Sequence, residues 1–282
     1  MKKLLFATLA ATVLMAQTAA PTAPAPTAPA PVKLMRLDCG TVAANNLDQF
    51  SDTRAYVGQS KRLTSSCYLI KHGDAYMLWD TGLPAAMKGK PIDPKAPMDA
   101  TVTATIVEQL AAVGVKPEQI SMIGVSHYHF DHVGQAAAFP GATLLIGKGD
   151  FDALKAGAPG TSKLPLAPWI DGTAKSDPVS GDKDVFGDGS VTMLDLPGHT
   201  PGHHGLLVHL AGKGNVLLTG DVAHFQENYD SDGVPGFNTN RADSIAAIER
   251  FKGLARNLKA TVIIQHDPRD IAKLPAFPAW AE

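Results

Sequence analysis

The stretch Met122-Ile-Gly-Val-Ser126-His127-Tyr128-His129-Phe130-Asp131-His132 decides how this chain is read. Its first half, Met122–Ser126, is an apolar run of strand length. Its second half, His127 to His132, places three imidazoles and a carboxylate within six residues. In a loop leaving a strand, the alternate residues His127 and His129 can point to one side, while Asp131 and His132 turn to a neighbouring position. Imidazole combined with carboxylate suits zinc, iron or manganese, with Zn–N distances of ~2.0–2.1 Å. The plainer reading, a satisfied surface cluster, does not account for four ligand-type side chains at this spacing.

Working outward, further ligand candidates follow other apolar runs. His199 comes after Val191–Leu196, inside the turn Pro197-Gly198-His199-Thr200-Pro201-Gly202, whose Gly and Pro residues fix the ring's aim. Asp221 follows Val216–Thr219 across Gly220, and His266 follows Thr261–Ile264. Each candidate sits just past the C-terminal end of a strand, as expected when a rigid sheet edge presents a site. Asp80 and Asp267 read as acceptors for the second ring N–H of ligand histidines. His203 and His204, in the same turn as His199, are weaker candidates for such supporting contacts. His209, inside a strand, and His72, at a strand end, read as ordinary structural histidines.

The remaining short runs are Lys33–Asp38, Ser66–Lys71, Ala75–Trp79, Thr143–Ile146 and Gly205–Leu210. Several fit strands buried on both faces. Helical periodicity occurs over Thr101–Val113, where Ile106, Leu110 and Val113 share a face. It recurs over Ala242–Leu258, with Asn240 or Asp243 available as a cap. Residues 157–190, rich in Gly, Pro, Asp and Lys, read as a long surface excursion. Strands interleaved with a few helices predict a mixed sandwich of sheets with helices outside.

The ends need separate treatment. Residues 1–20 read as a secretory signal: Lys2 and Lys3, then the apolar Leu4–Ala16, then small residues suited to cleavage. That run is too short for a transmembrane anchor, which needs about 20 apolar residues, so no stable membrane anchor is expected. Residues 21–32 form a Pro/Ala-rich linker that favours polyproline II. Residues 33–282 then form one domain, expected in the periplasm or outside the cell. A formal charge of −2 and no Lys/Arg run argue against a nucleic-acid partner. Export makes a bond between Cys39 and Cys67 chemically open to the protein. Pairing depends on a Cα separation that sequence does not give, so it stays open here.

Taken together, HYHFDH, PGHTPGH, LTGD and QHD, with the turn Asp80-Thr81-Gly82, resemble the metallo-β-lactamase superfamily. The motifs run from about 80 to 267. The resemblance implies an α+β fold, an αβ/βα sandwich of two mixed sheets flanked by helices, with a dinuclear site. It implies two divalent metal ions, zinc by preference. His127, His129 and His199 would hold the first, Asp131, His132 and His266 the second, and Asp221 would bridge them. Leu37-Asp38-Cys39-Gly40 and the spacing from Asp221 to the helix at 242–258 look most like N-acyl homoserine lactonases. The implied reaction is opening of the lactone ring (quorum quenching) by a metal-activated hydroxide, with Asp131 passing a proton to the leaving oxygen. Such lactonases often carry Tyr three residues after the bridging Asp. This chain has His224 there, an imidazole that can also donate to the substrate carbonyl. Leu83, Trp169, Phe225, Tyr229 and Phe237, near the site loops, are candidates for an acyl groove. A homodimer is an assembly the resemblance admits.

Rival readings are an exported β-lactamase or another thioester or ester hydrolase on the same scaffold, a di-iron redox protein, and a non-catalytic binding module. Asp221 speaks against a β-lactamase with this ligand pattern. The 16 residues after His266 are too few for the C-terminal helices of hydroxyacylglutathione hydrolases. A full ligand set and the lack of a flavin domain speak against the last two.

Overall fold

Strict alternation sorts the strand side chains onto two faces, and this builds the layers. In the computed structural model, which describes residues 30–282, β1 (Val32–Ala44), β2 (Lys61–His72) and β3 (Ala75–Trp79) form an antiparallel meander. Leu34, Tyr68, Ile70, Met77 and Trp79 face one core, while Met35, Leu37, Leu69 and Leu78 face another. The expected leader and nearly all of the linker lie outside the described residues.

β4 (Met98–Thr101) pairs with the end of β1. On the far side, β5 (Ile120–Gly124), β6 (Thr143–Gly147) and β7 (Ser176–Val179) run parallel to β3, completing a seven-stranded mixed sheet ordered β4-β1-β2-β3-β5-β6-β7. The second sheet is ordered β12-β11-β10-β9-β8, from β8 (Lys183–Asp184), β9 (Val191–Asp195), β10 (His204–Leu210), β11 (Gly214–Leu218) and β12 (Thr261–Ile263). It is also mixed, since β11 and β12 are parallel and the other pairs antiparallel.

Leu206, Val208, Val216 and Leu218 meet the first sheet in the central core. Leu207 and Leu217 point the other way, onto Ile248 and Phe251 of α6 (Arg241–Asn257). The outer face of the first sheet is covered by α1 (Ile106–Ala112), α3 (Lys148–Ala156) and α4 (Ala167–Ile170). Two short helices, α2 (Phe130–Val133) and α5 (Gln226–Ser231), lie in loops of the site. Helix, sheet, sheet and helix thus follow one another, the expected αβ/βα sandwich. Among the described residues no helix is long and apolar enough to cross a membrane.

Three expectations change. α1 begins five residues later than the periodicity starts, because Thr105 closes a capping box with Glu108 and residues 98–101 are drawn into β4. Asn240 alone caps α6, accepting from the N–H of Ala242 and Asp243 at 2.9 and 3.1 Å, while Asp243 lies in the first turn. Residues 157–190 are more than a surface excursion. They carry α4, β7 and β8, anchored by buried Leu166, Trp169 and Ile170, and they supply an edge strand to each sheet. The open question of the cysteines is closed: Cys39 and Cys67 are disulfide-bonded with Cα atoms 5.8 Å apart.

Candidate metal centre

The ends of β5, β9, β11 and β12 open onto one side of the sandwich, and the turns that leave them converge there. His127 and His129 follow β5, His129 in extended backbone, and α2 then carries Asp131 and His132. The result is two groups of side chains. Ligand atoms of His127, His129, His199 and Asp221 lie within 4.8 Å of one another, and so do those of Asp131, His132 and His266. In the first group, His199 Nε2 is 3.1 Å from His127 Nε2 and 2.9 Å from His129 Nδ1. In the second, His132 Nε2 and His266 Nε2 are 3.1 Å apart.

Asp221 sits between them. Its Oδ2 lies 3.5 and 3.2 Å from His127 and His199, and its Oδ1 lies 3.3 and 3.0 Å from His132 and His266. One oxygen faces each group, as a bridge requires.

Outer partners show that these rings suit a cation. His132 Nδ1 donates to Asp80 Oδ2 at 2.9 Å, His266 Nδ1 to the Thr64 carbonyl at 2.8 Å, and His199 Nδ1 to Asn238 Oδ1 at 2.8 Å. Each acceptor fixes the ring proton on Nδ1 and leaves the Nε2 lone pair facing inward. Lone pairs about 3 Å apart repel unless a positive charge lies between them. Asp221 Oδ1 tells the same story: it is buried without a hydrogen bond, because the rings beside it have spent their protons elsewhere. The donor set, imidazole plus carboxylate, therefore fits a pair of divalent metals.

The electrostatics agree. Burial, aided by neighbouring histidines, pushes His127 and His129 far below the usual imidazole range, His129 to about 3, so both are neutral. Burial opposes a charge on His132 as well, but Asp221, Asp80 and Asp131 outweigh it and raise its pKa, so this pocket draws a positive charge to Nε2: a proton in the metal-free chain, which a metal ion would displace to use the lone pair. Asp221 stays ionised in spite of its burial, because His132, His224, His266 and His127 surround it.

A cleft of about 300 Å³ leads to the centre. Val42, Phe50, Leu63, Met98, Phe130 and Phe237 form its apolar wall, with His129, Asp131, Asp221, His224 and His266 at its floor. Of the five acyl-groove candidates only Phe237 lines it. Leu83 and Phe225 are fully buried behind it, packed in one cluster with Phe50 and Tyr56. Trp169 lies in the helix-side core, its Nε1 donating to the Ala142 carbonyl at 2.9 Å. Tyr229 packs against Phe251 of α6. His224 does reach the floor: its Nε2 lies 3.1 Å from Asp221 Oδ2, and its ring meets Phe50 edge-on at 5.0 Å.

The supporting residues divide similarly. Asp80 orients His132 as expected, but Asp267 serves no histidine. It accepts from the Gln226 N–H at 2.9 Å and pairs with Arg269. His203 accepts the Asp221 N–H on Nε2 at 2.8 Å, whereas the His204 ring turns away from the centre, toward the carbonyls of Gly202 and Gly181. His72 pairs with Asp188, and His209 is an exposed residue of β10. Ser126, Asn238 and Gln265 were missed. Ser126 and Gln265 stand immediately before ligands, the one signal that pointed to them.

Comparison with known proteins agrees with this geometry. Residues 61–266 match the family described as the metallo-beta-lactamase superfamily. The chain is 30% identical over 223 residues to an N-acyl homoserine lactonase of a Bacillus species, covering 76% of this chain and 85% of that one. It is 30% identical over 181 residues to the N-acyl homoserine lactonase AttM of Rhizobium radiobacter, covering 61% and 69%. The crystal structure of a quorum-quenching N-acyl homoserine lactone hydrolase superposes with a TM-score of 0.77 at 25% identity, over 90% of this chain and 99% of that one. By sequence, layer order and ligand geometry alike, the chain belongs to the metallo-β-lactamase superfamily, among the relatives of the N-acyl homoserine lactonases.

Proposed function

We propose that the protein is a dinuclear metal hydrolase that opens the lactone ring of N-acyl homoserine lactones. The observation that carries this reading is Asp221, with one oxygen toward each histidine group, at the floor of an apolar cleft. The named activities of the relatives point the same way. When bound, two metals supply a water of lowered pKa and polarise a carbonyl. The histidines make zinc the first choice.

The chain's own residues do the rest. The apolar wall takes the acyl chain and removes it from water, at ~0.8 kcal/mol per buried CH2. His224 donates a hydrogen bond toward the substrate carbonyl, which strengthens as charge builds on that oxygen. Water adds to the carbonyl carbon and the ring C–O bond breaks. Asp131, whose side chain keeps 17% exposure at the cleft floor, carries the water's proton to the departing ring oxygen. The product is an N-acyl homoserine, with no covalent enzyme intermediate. The deciding assay presents zinc-loaded protein with N-hexanoyl and N-decanoyl homoserine lactones, followed by acid release, and with nitrocefin, followed by absorbance. Lactone opening with nitrocefin untouched is expected; the reverse would assign a β-lactamase.

We infer also that the protein is exported. The basic, apolar start of the chain and the disulfide, a bond that persists in oxidising compartments, support this. Fractionation with mass measurement of the mature N-terminus tests it, and a cytoplasmic chain retaining Met1 would refute it. A homodimer is an assembly the family resemblance admits, checked by light scattering.

A further inference from the structure

Gln265 is fully buried where the two sheets meet beneath the centre. It carries no charge and reaches no ligand atom, yet every hydrogen-bonding position of its amide is used. Oε1 accepts from the Gly220 N–H at 2.9 Å and from Trp79 Nε1 at 3.2 Å. Nε2 donates to Asp80 Oδ2 at 2.9 Å and to the Ser66 carbonyl at 3.3 Å. The partners belong to β2, to the end of β3 and its turn, and to the turn after β11, while Gln265 itself follows β12.

Two of these contacts lead to different halves of the centre. Asp80 also takes His132 Nδ1–H at 2.9 Å and the Ser126 N–H at 2.6 Å, so it sets a ligand of the second group. Gly220 precedes Asp221, the residue between the groups. The backbone there has no slack. Gly220 has φ +53°, and a Cβ on it would come within 2.5 Å of His203 Nε2. Its N–H is held by Gln265, and the next N–H, that of Asp221, by His203.

We infer that Gln265 is a positioning residue that makes the two metal groups one unit. Through Asp80 it sets His132, and through Gly220 it sets Asp221, so ordering one group by metal pre-orders the other. A buried apolar side chain could fill the space but would leave Asp80 Oδ2 short of a donor and two N–H groups without acceptors. The inference rests on the dinuclear reading above.

The test is zinc titration of the metal-stripped full chain against a chromophoric chelator, with zinc counted after dialysis, for the wild type, Gln265→Glu and Gln265→Leu. Glu keeps an acceptor for Gly220 and Trp79 but replaces the two amide N–H donors by a carboxyl oxygen. That oxygen repels Asp80 when ionised and, when protonated, has one proton for two acceptors, Asp80 and the Ser66 carbonyl. We expect the wild type to take two zinc ions in unresolved steps. Gln265→Glu should separate the steps, weakening the second by ~10–100-fold with little change in the first. Gln265→Leu should weaken both. A purely structural role would lower the melting temperature without separating the steps, and that result for Gln265→Glu overturns the inference even if Gln265→Leu fails to fold. A wild type that binds fewer than two zinc ions would instead sink the dinuclear reading, and this inference with it.

Discussion

The candidate ligand set lay open in the residues because chemistry and spacing coincide. Imidazoles and carboxylates just past strand ends have few other uses, and His127, His129, Asp131, His132, His199, Asp221 and His266 all meet in the folded chain. The groove candidates did not share that advantage. Leu83, Trp169 and Phe225 stand near site loops in sequence, but packing decides which way an apolar side chain turns, and these turn inward. Two expectations belong at this scale. Asp221→Asn replaces one facing oxygen by an amide N–H2 that cannot bridge, so zinc content should fall from two to one and kcat/KM should drop at least ~100-fold. Metal analysis beside lactone assays checks it, and full zinc with full rate would remove the bridge from the account. His224 separates differently. His224→Ala should cost about 100-fold in kcat while zinc stays bound, and His224→Tyr should restore most of it, because a phenol can donate from the same wall. Loss of zinc in His224→Ala would mean that the ring acts through Asp221, 3.1 Å away, and not on substrate.

Long apolar elements were legible and short polar ones were not. Every expected strand formed, and Ala75–Trp79 kept its bounds. β4, β7 and β8, with sequences MDAT, SDPV and KD, have too little pattern to announce themselves and exist because a sheet edge was available to pair with. The join between α3 and the His199 turn was equally silent. Asp150, buried in the first turn of α3, accepts from Thr200 Oγ1 at 2.8 Å and the Gly202 N–H at 2.7 Å, pinning the turn that aims His199. Burial lifts its carboxyl to about 7 against those two hydrogen bonds. The sign follows. Unfolded, the group titrates near ~3.9, so between there and about 7 the folded chain holds more protons. Stability from this group is therefore greatest at low pH, declines as pH rises through that window, and levels off above it. Asp150→Asn abolishes the titration. In urea unfolding at pH 5 to 8 with zinc saturating, the wild type should lose at least ~1 kcal/mol relative to Asp150→Asn as pH rises. A constant difference would show that Asp150 titrates alike in both states.

For the molecule as a whole, the layer order was readable once the motifs suggested a family, but the staple was not, since two cysteines in a sequence carry no distance. The β1–β2 register supplies it. Leu37 faces Cys67, and a bulge between Asp38 and Thr41, with Gly40 at φ +126°, swings Cys39 toward the same partner. The bond also lies under the site. A Cβ on Gly82, in the Asp80-Thr81-Gly82 turn, would come within 2.3 Å of Cys39 Cβ, so the disulfide backs the turn that orients His132. Closing a loop of 28 residues should stabilise the fold by about 3–4 kcal/mol, chiefly by restricting the unfolded chain. That mechanism makes a specific prediction for the double variant Cys39→Ala/Cys67→Ala. β1 and β2 remain paired on both sides of the bulge, so the folded centre should survive: two zinc ions and a near-native kcat/KM at 25 °C, but a urea midpoint lowered in proportion to the lost 3–4 kcal/mol. Wild type in strong reductant should match the variant, whereas the variant itself should ignore reductant. If zinc or activity fell while the urea midpoint held, the bond would be acting on the folded site through Gly82, and the stability of the protein would have to come from its two-sheet core alone.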